Sequence, residues 1–299
     1  MILIASCSSG ASSSTSTAHL SSTTHSSTAP AAKRWSTTAR WSHSWDAASA
    51  VTYKEGKTVR VASVPDASGN FPLIRYKETI VGPLPGPKYI AASAYFRGRP
   101  ALFADTVATI PLFDNPTYPL SATLTAVADP GHSSAWFGPP KGYAPPYWVA
   151  VLGRATASPN SGLLDSELGD IGDGPTLAGG IPPHNDQWGI STFGPKPFPF
   201  PITSHKISPD ETILIIAEVA AGKNASFIEL NWRDSSGAMH QIHQAVTLNP
   251  YTAKTLFIGY VHEEYVTAAG LALGAPTASE LSRVRSWAAR YIPPTSLPK

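Results

Sequence analysis

The chain reads as a mainly β protein: an antiparallel β-sandwich of jelly-roll or Greek-key type, with a disordered N-terminal arm and one C-terminal helix. Three observations predict this. Twenty-nine prolines in 299 residues forbid long helices over most of the chain, because proline lacks an N–H and clashes with the preceding turn. From about residue 50, short segments rich in β-branched and aromatic residues alternate with Pro/Gly clusters. The hydrophobic share, 42% against 14% charged, is enough for a sizeable core.

Three segments follow: an arm over 1–45, a sandwich over 46–275, and a helix with tail over 276–299. In the arm, residues 6–28 hold 16 Ser/Thr in 23 positions with no aromatic and no charge. Such a stretch buries too little apolar area to offset chain entropy, so disorder is expected. Strands are predicted at 50–53, 58–64, 73–81, 88–96, 101–110, 119–128 and 146–152. Residues 153–211 are rich in Pro and Gly and read as loops. Thr212 to Val219, Ser226 to Trp232, Met239 to Leu248 and Lys254 to Val261 are further strands. Asp234-Ser235-Ser236-Gly237 reads as a hairpin loop in which Gly supplies a positive φ. Thr277-Ala278-Ser279-Glu280 matches a helix capping box. Leu281, Val284, Ala288 and Tyr291 then make an apolar stripe, with Arg283 and Arg290 together on another face. Pro293-Pro294 ends the helix.

Charge is segregated. Residues 33–99 hold 11 basic and 4 acidic residues, residues 100–280 hold 7 and 16, and the tail from 281 holds four basic residues and no acid. Basic ends around an acidic middle suit a polyanion partner. Lys33, Arg34 and Arg40 stand among Trp35, Trp41 and Trp45. A cation beside an indole suits single-stranded nucleic acid, although such indoles also serve to anchor an arm on a folded domain. The candidate RNA-binding residues are therefore Lys33, Arg34, Trp35, Arg40, Trp41, Arg283, Arg285 and Arg290.

Motifs of hydrolases, nucleotide sites and zincins are missing. The single cysteine, Cys7, excludes a disulfide framework. Asp165, Glu167, Asp170 and Asp173 lie in a Gly-rich stretch and are candidates for Ca²⁺, against the alternative of a solvated acidic loop. No other cofactor is implied. His240 and His243 are three apart in a strand, so they point to opposite faces and do not share a metal. No apolar run reaches membrane-spanning length.

Pro119-Leu120-Ser121-Ala122-Thr123-Leu124-Thr125-Ala126-Val127, a loop, then Pro146-Tyr147-Trp148-Val149-Ala150-Val151 resembles paired strands of tymovirus-like jelly-roll coat proteins. Ser191-Thr192-Phe193-Gly194 is similar too. By composition, the Ala/Ser/Pro content resembles the Pro-Ala-Ser-rich proteins that coat polymycovirus genomes. These resemblances imply a structural protein, not an enzyme, that self-associates as a homo-oligomer and coats RNA in a virion or host cytoplasm. The alternative expectation is an exported or lipid-tethered β-sandwich module, secreted or at the cell surface, that binds carbohydrate or another surface ligand. Ser6-Cys7 resembles the end of a lipoprotein signal, but the apolar stretch before it is too short for one.

Overall fold

The computed structural model describes residues 34–75, 84–112, 115–126, 143–155, 161–164, 167–168, 171–172, 175–181, 184–192, 202–206, 211–222, 226–247, 257–260 and 263–295. Within 110–119 and 155–206, and at 257 and 260, the description is of backbone pairing alone. The protein is mainly antiparallel β, a sandwich closed by one helix, as the sequence predicts.

Among the described residues, fourteen strands form one hydrogen-bonded system. In chain order they are β1 (His43–Asp46), β2 (Val51–Glu55), β3 (Thr58–Val64), β4 (Leu73–Arg75), β5 (Lys88–Ser93), β6 (Arg99–Ala104) and β7 (Thr106–Leu112). Then come β8 (Asn115–Ala126), β9 (Tyr147–Ala155), β10 (Ile213–Val219), β11 (Ser226–Arg233), β12 (Met239–Val246), β13 (Phe257–Tyr260) and β14 (Glu264–Leu273). The path across them runs β12-β11-β10-β9-β14-β6-β5-β3-β4-β8-β13, with β1 beside β14, β2 beside β3 and β7 beside β8. The two halves of this path face each other. Tyr147, Val149 and Val151 of β9 and Ile213, Ile215 and Ala217 of β10 pack against Val61, Leu73, Leu124 and Ile258 from β3, β4, β8 and β13.

A second core lies on the outer face of β9, β10 and β14. There Trp148, Ala150, Leu152, Leu214 and Ile216 meet Val284, Trp287 and Ala288 of the helix α1 (Ala278–Ala288), together with Trp35. Alternate side chains of β9 and β10 therefore enter different cores. Burial on both faces is why these strands read as unbroken apolar runs.

Several expectations change. The strand predicted at 101–110 is two, β6 and β7, parted at Asp105. Its carboxylate takes Arg60 at 2.9 Å and Lys88 at 2.9 Å. The strand predicted at 88–96 stops at Ser93 and gives way to a 3₁₀ turn, Ala94–Phe96. Residues 153–211 are not only loops: Ser161–Leu164, Pro175–Ile181, His184–Thr192 and Ile202–Lys206 pair as a separate sheet. Strand preference depends on pairing context, and the Gly and Pro content hides it. β14 has no strand prediction at all, yet it pairs β9, β6 and β1. Its Ala-Ala-Gly-Leu-Ala centre carries almost no β-branched signal. The arm boundary also moves: residues 34–45 belong to the folded body, since His43 to Asp46 pair with β14.

Candidate functional site

Four indoles fasten the described end of the arm. Trp35 starts a 3₁₀ turn, Trp35–Thr37, and its Nε1–H donates to the carbonyl of Ala269 at 2.8 Å. Its ring stacks on Trp41 at 5.0 Å and meets Trp287 at 4.8 Å, while Trp41 meets Trp148 at 4.5 Å. Trp41 lies over Gly270, where a Cβ would stand 2.8 Å from the ring. Trp35 is fully buried and Trp41 partly so. Base stacking by these two rings is thus corrected to an anchoring role: each ring buries a large apolar area, and its N–H finds an acceptor inside the protein.

The anchored arm runs beside α1, which brings the two basic segments together. Arg40 donates from both its backbone N–H (3.0 Å) and its Nε–H (2.9 Å) to Glu280. Yet the Arg40 side chain is 77% exposed, against 3% for Glu280. This pairing, led by the Arg40 hydrogen bond, holds the Glu280 carboxyl well below the usual range. One turn along α1, Arg283 donates from Nε to the Thr38 carbonyl at 2.9 Å and from Nη1 to Ser279 at 2.7 Å. Arg283 and Arg290 are exposed and flank a cleft of about 170 Å³ with Thr37, Ser282 and Ser286. Arg283 lies in α1 and Arg290 in the turn just past its end, seven positions on. The result is a seam of Arg guanidiniums and hydroxyls, a donor-rich surface suited to phosphate oxygens.

The other candidates fall elsewhere. Arg34 is exposed and lines a different cleft. Lys33 lies outside the described residues. Arg285 turns away from the seam onto the sheet, where its Nε donates to Glu229 at 2.7 Å. It is corrected from an RNA contact to a structural ion pair, because Glu229 is fully buried and needs a cation. Burial raises the pKa of Glu229, but hydrogen bonds from Arg285, Asn231 and His243 outweigh that and hold it below the ordinary value. Glu218, on the neighbouring strand, is pushed up by burial, opposed by the charge of His243.

His240 and His243 take separate partners: Asp234 at 2.7 Å and Glu229 at 3.1 Å. Among the described residues no group of His, Cys, Asp and Glu is placed to hold a metal. Asp165, Asp170 and Asp173 lie outside them, and Glu167 is described only by its backbone pairing in Glu167–Leu168. No helix among the described residues is long and apolar enough to cross a membrane.

No protein-family model matches the chain, and no curated protein matches it. Solved structures do. A GH54 α-L-arabinofuranosidase soaked with a cyclic sulfate inhibitor is similar with a TM-score of 0.50 and 13% identity, over 79% of this chain and 52% of that one. An arabinofuranosidase complexed with arabinofuranosyl-α-1,2-xylobiose gives 0.48 and 12% over the same shares. The chain spans about half the length of these structures, and the likeness is one of fold. It corrects one expectation: the chain was expected not to be an enzyme, and its sandwich resembles the architecture of one.

Proposed function

We propose that the chain is a structural protein that coats RNA, with the seam between arm and helix as its phosphate-binding surface. One observation carries this reading: Arg40 comes from one basic end of the sequence and binds the first turn of α1, while Arg283 and Arg290 come from the other and share a cleft with Thr37 of the arm. Arginine there grips phosphate through forked N–H donors, and Thr37, Ser282 and Ser286 add hydroxyls. The sandwich supplies contacts between copies.

Single-stranded RNA binding, read by fluorescence anisotropy, tests it. With three phosphate contacts, affinity falls about twentyfold between 50 and 200 mM salt. Arg283→Ala with Arg290→Ala flattens that dependence. Salt-independent binding, or a nucleic-acid-free monomer from the native source by A260/A280 and sedimentation, refutes the reading.

A saccharide-binding module is the second reading. It is favoured by an aromatic array: Tyr95 of the 3₁₀ turn, 38% exposed, meets Tyr265 of β14 at 4.9 Å, which stacks on Phe103 of β6 at 4.3 Å. The fold likeness to an arabinofuranosidase points the same way. Glycan-array binding lost in Tyr95→Ala supports this reading, and a blank array counts against it.

A further inference from the structure

A second cleft shares no lining residue with the seam. It holds about 440 Å³ and is lined by Arg34, Ser36, Ser44, Asp46 and Ser49, with Pro65 and two alanines. That volume is of the size that takes small molecules, roughly 300–1,000 Å³. We propose that it binds a neutral polyhydroxylated ligand, a saccharide unit. The proposal goes beyond both readings above: this cleft shares no residue with the seam or with the Tyr95 array.

The walls are set by the fold. Asp46 caps the 3₁₀ turn Ala47–Ser49 by accepting from the Ala48 N–H at 2.9 Å, and Arg99 grips its other oxygen. Ser44 is fixed on both sides: its N–H donates to Asp66 at 2.9 Å, and its carbonyl accepts from Ala67 at 2.9 Å. The Ser44 residue is only 4% exposed, yet its hydroxyl makes no hydrogen bond among the described residues. In the wall of the cleft that hydroxyl keeps both its donor and its acceptor capacity for water or a ligand. The side chains of Arg34 and Ser36 likewise make no hydrogen bond among the described residues. Ser49 donates to the Asp46 carbonyl at 2.7 Å and keeps acceptor capacity.

The cleft thus offers donors (Arg34, Ser36, Ser44) and an anionic acceptor (Asp46) side by side. A vicinal diol answers both, because each hydroxyl donates and accepts. Arg99 already balances the Asp46 charge, so Asp46 serves the cleft as a hydrogen-bond acceptor rather than as a free counter-ion. Recognition here is by hydrogen bonds, since no aromatic side chain lines the cleft.

The test is a titration of the full chain with a panel of neutral pentoses, hexoses and their short oligomers, followed by amide NMR shifts and calorimetry. Inorganic phosphate serves as the anionic control. At least one sugar is expected to give saturable shifts confined to residues 34–49 and 65–67. Ser44→Val, which removes the hydroxyl from the wall, weakens that binding about tenfold, the loss of about one hydrogen bond. Ser49→Ala is the second variant should Ser44→Val not fold, with a smaller loss in the same direction. Arg283→Ala leaves sugar binding unchanged. The proposal is overturned if no sugar in the panel saturates, if folded cleft variants bind as the wild type does, or if phosphate displaces the sugar. Because RNA binding is read through Arg283 and Arg290, the two proposals fail separately.

Discussion

Glu280 Oε1 accepts two hydrogen bonds from a single residue 240 positions earlier, the backbone N–H and the Nε–H of Arg40. The same carboxylate closes the capping box of α1: Glu280 takes the Thr277 N–H at 2.9 Å and returns its own N–H to the Thr277 hydroxyl at 3.2 Å. The residue that starts the helix therefore also fixes the arm beside it. The Arg40 side chain stays mostly exposed and points its remaining donors outward.

Removing the cap loosens both. Thr277→Ala should cost about 1 kcal/mol, a fall in Tm of roughly 2–4 °C for a domain of this size. Glu280→Gln should cost more, because it also weakens the Arg40 contact, and it should lower RNA affinity through a less ordered arm. Thermal melts and anisotropy on the two variants check the order.

The same pair sets a pH dependence. Glu280 is held below its unfolded pKa by Arg40, so its contribution is fully present above the ordinary carboxylate pKa of about 4.3. It fades as pH falls through the depressed folded value. Glu229 has the same sign. The stability gap between wild type and Glu280→Gln should be constant from pH 7 to about 5 and shrink in acid. A gap that widens in acid contradicts this assignment.

Arg285 and Glu229 behave as a buried pair. Arg285→Ala leaves the Glu229 carboxylate without its cation and should cost about 3 kcal/mol, the lower end of the buried-pair range, because Arg285 is itself about a third exposed. The apolar replacement Glu229→Leu with Arg285→Met should recover most of that loss. Urea melts of both variants decide it. RNA affinity should not follow Arg285→Ala as it follows Arg283→Ala.

Gly270 marks the contact between β14 and the arm. A Cβ there stands 2.8–3.0 Å from three carbons of the Trp41 ring. Gly270→Ala should therefore push the ring away and cost about 1–3 kcal/mol, with a change in near-UV CD from the indole cluster. Trp35→Ala should cost more, about 3–5 kcal/mol.

Much of the fold is legible in the residues. The capping box over Thr277 to Glu280 forms as read, and Gly237 adopts φ 89° in its hairpin. Both are local chemistry, settled within four residues. β14 is not legible, because alanine and glycine reveal a strand only through what packs on them: Gly270 is explained by Trp41, far away in sequence. The site was half visible. Arg283 and Arg290 do meet at one cleft, although the helix stops at Ala288, short of Arg290, and the anchoring role of the tryptophans was one of two open readings. What separated Arg285 from its neighbours was a buried carboxylate on another element.

By itself the sequence determined the β class, many of its strands, the closing helix and the segregation of charge to the two ends. These follow from periodicity, turn chemistry and composition, which act over short distances. Only the tertiary structure decided where those charges go. Burying four indoles brings the arm onto α1, and that burial, not any local signal, lines up Arg40 with Arg283 and Arg290 while Glu229 takes Arg285 out of reach.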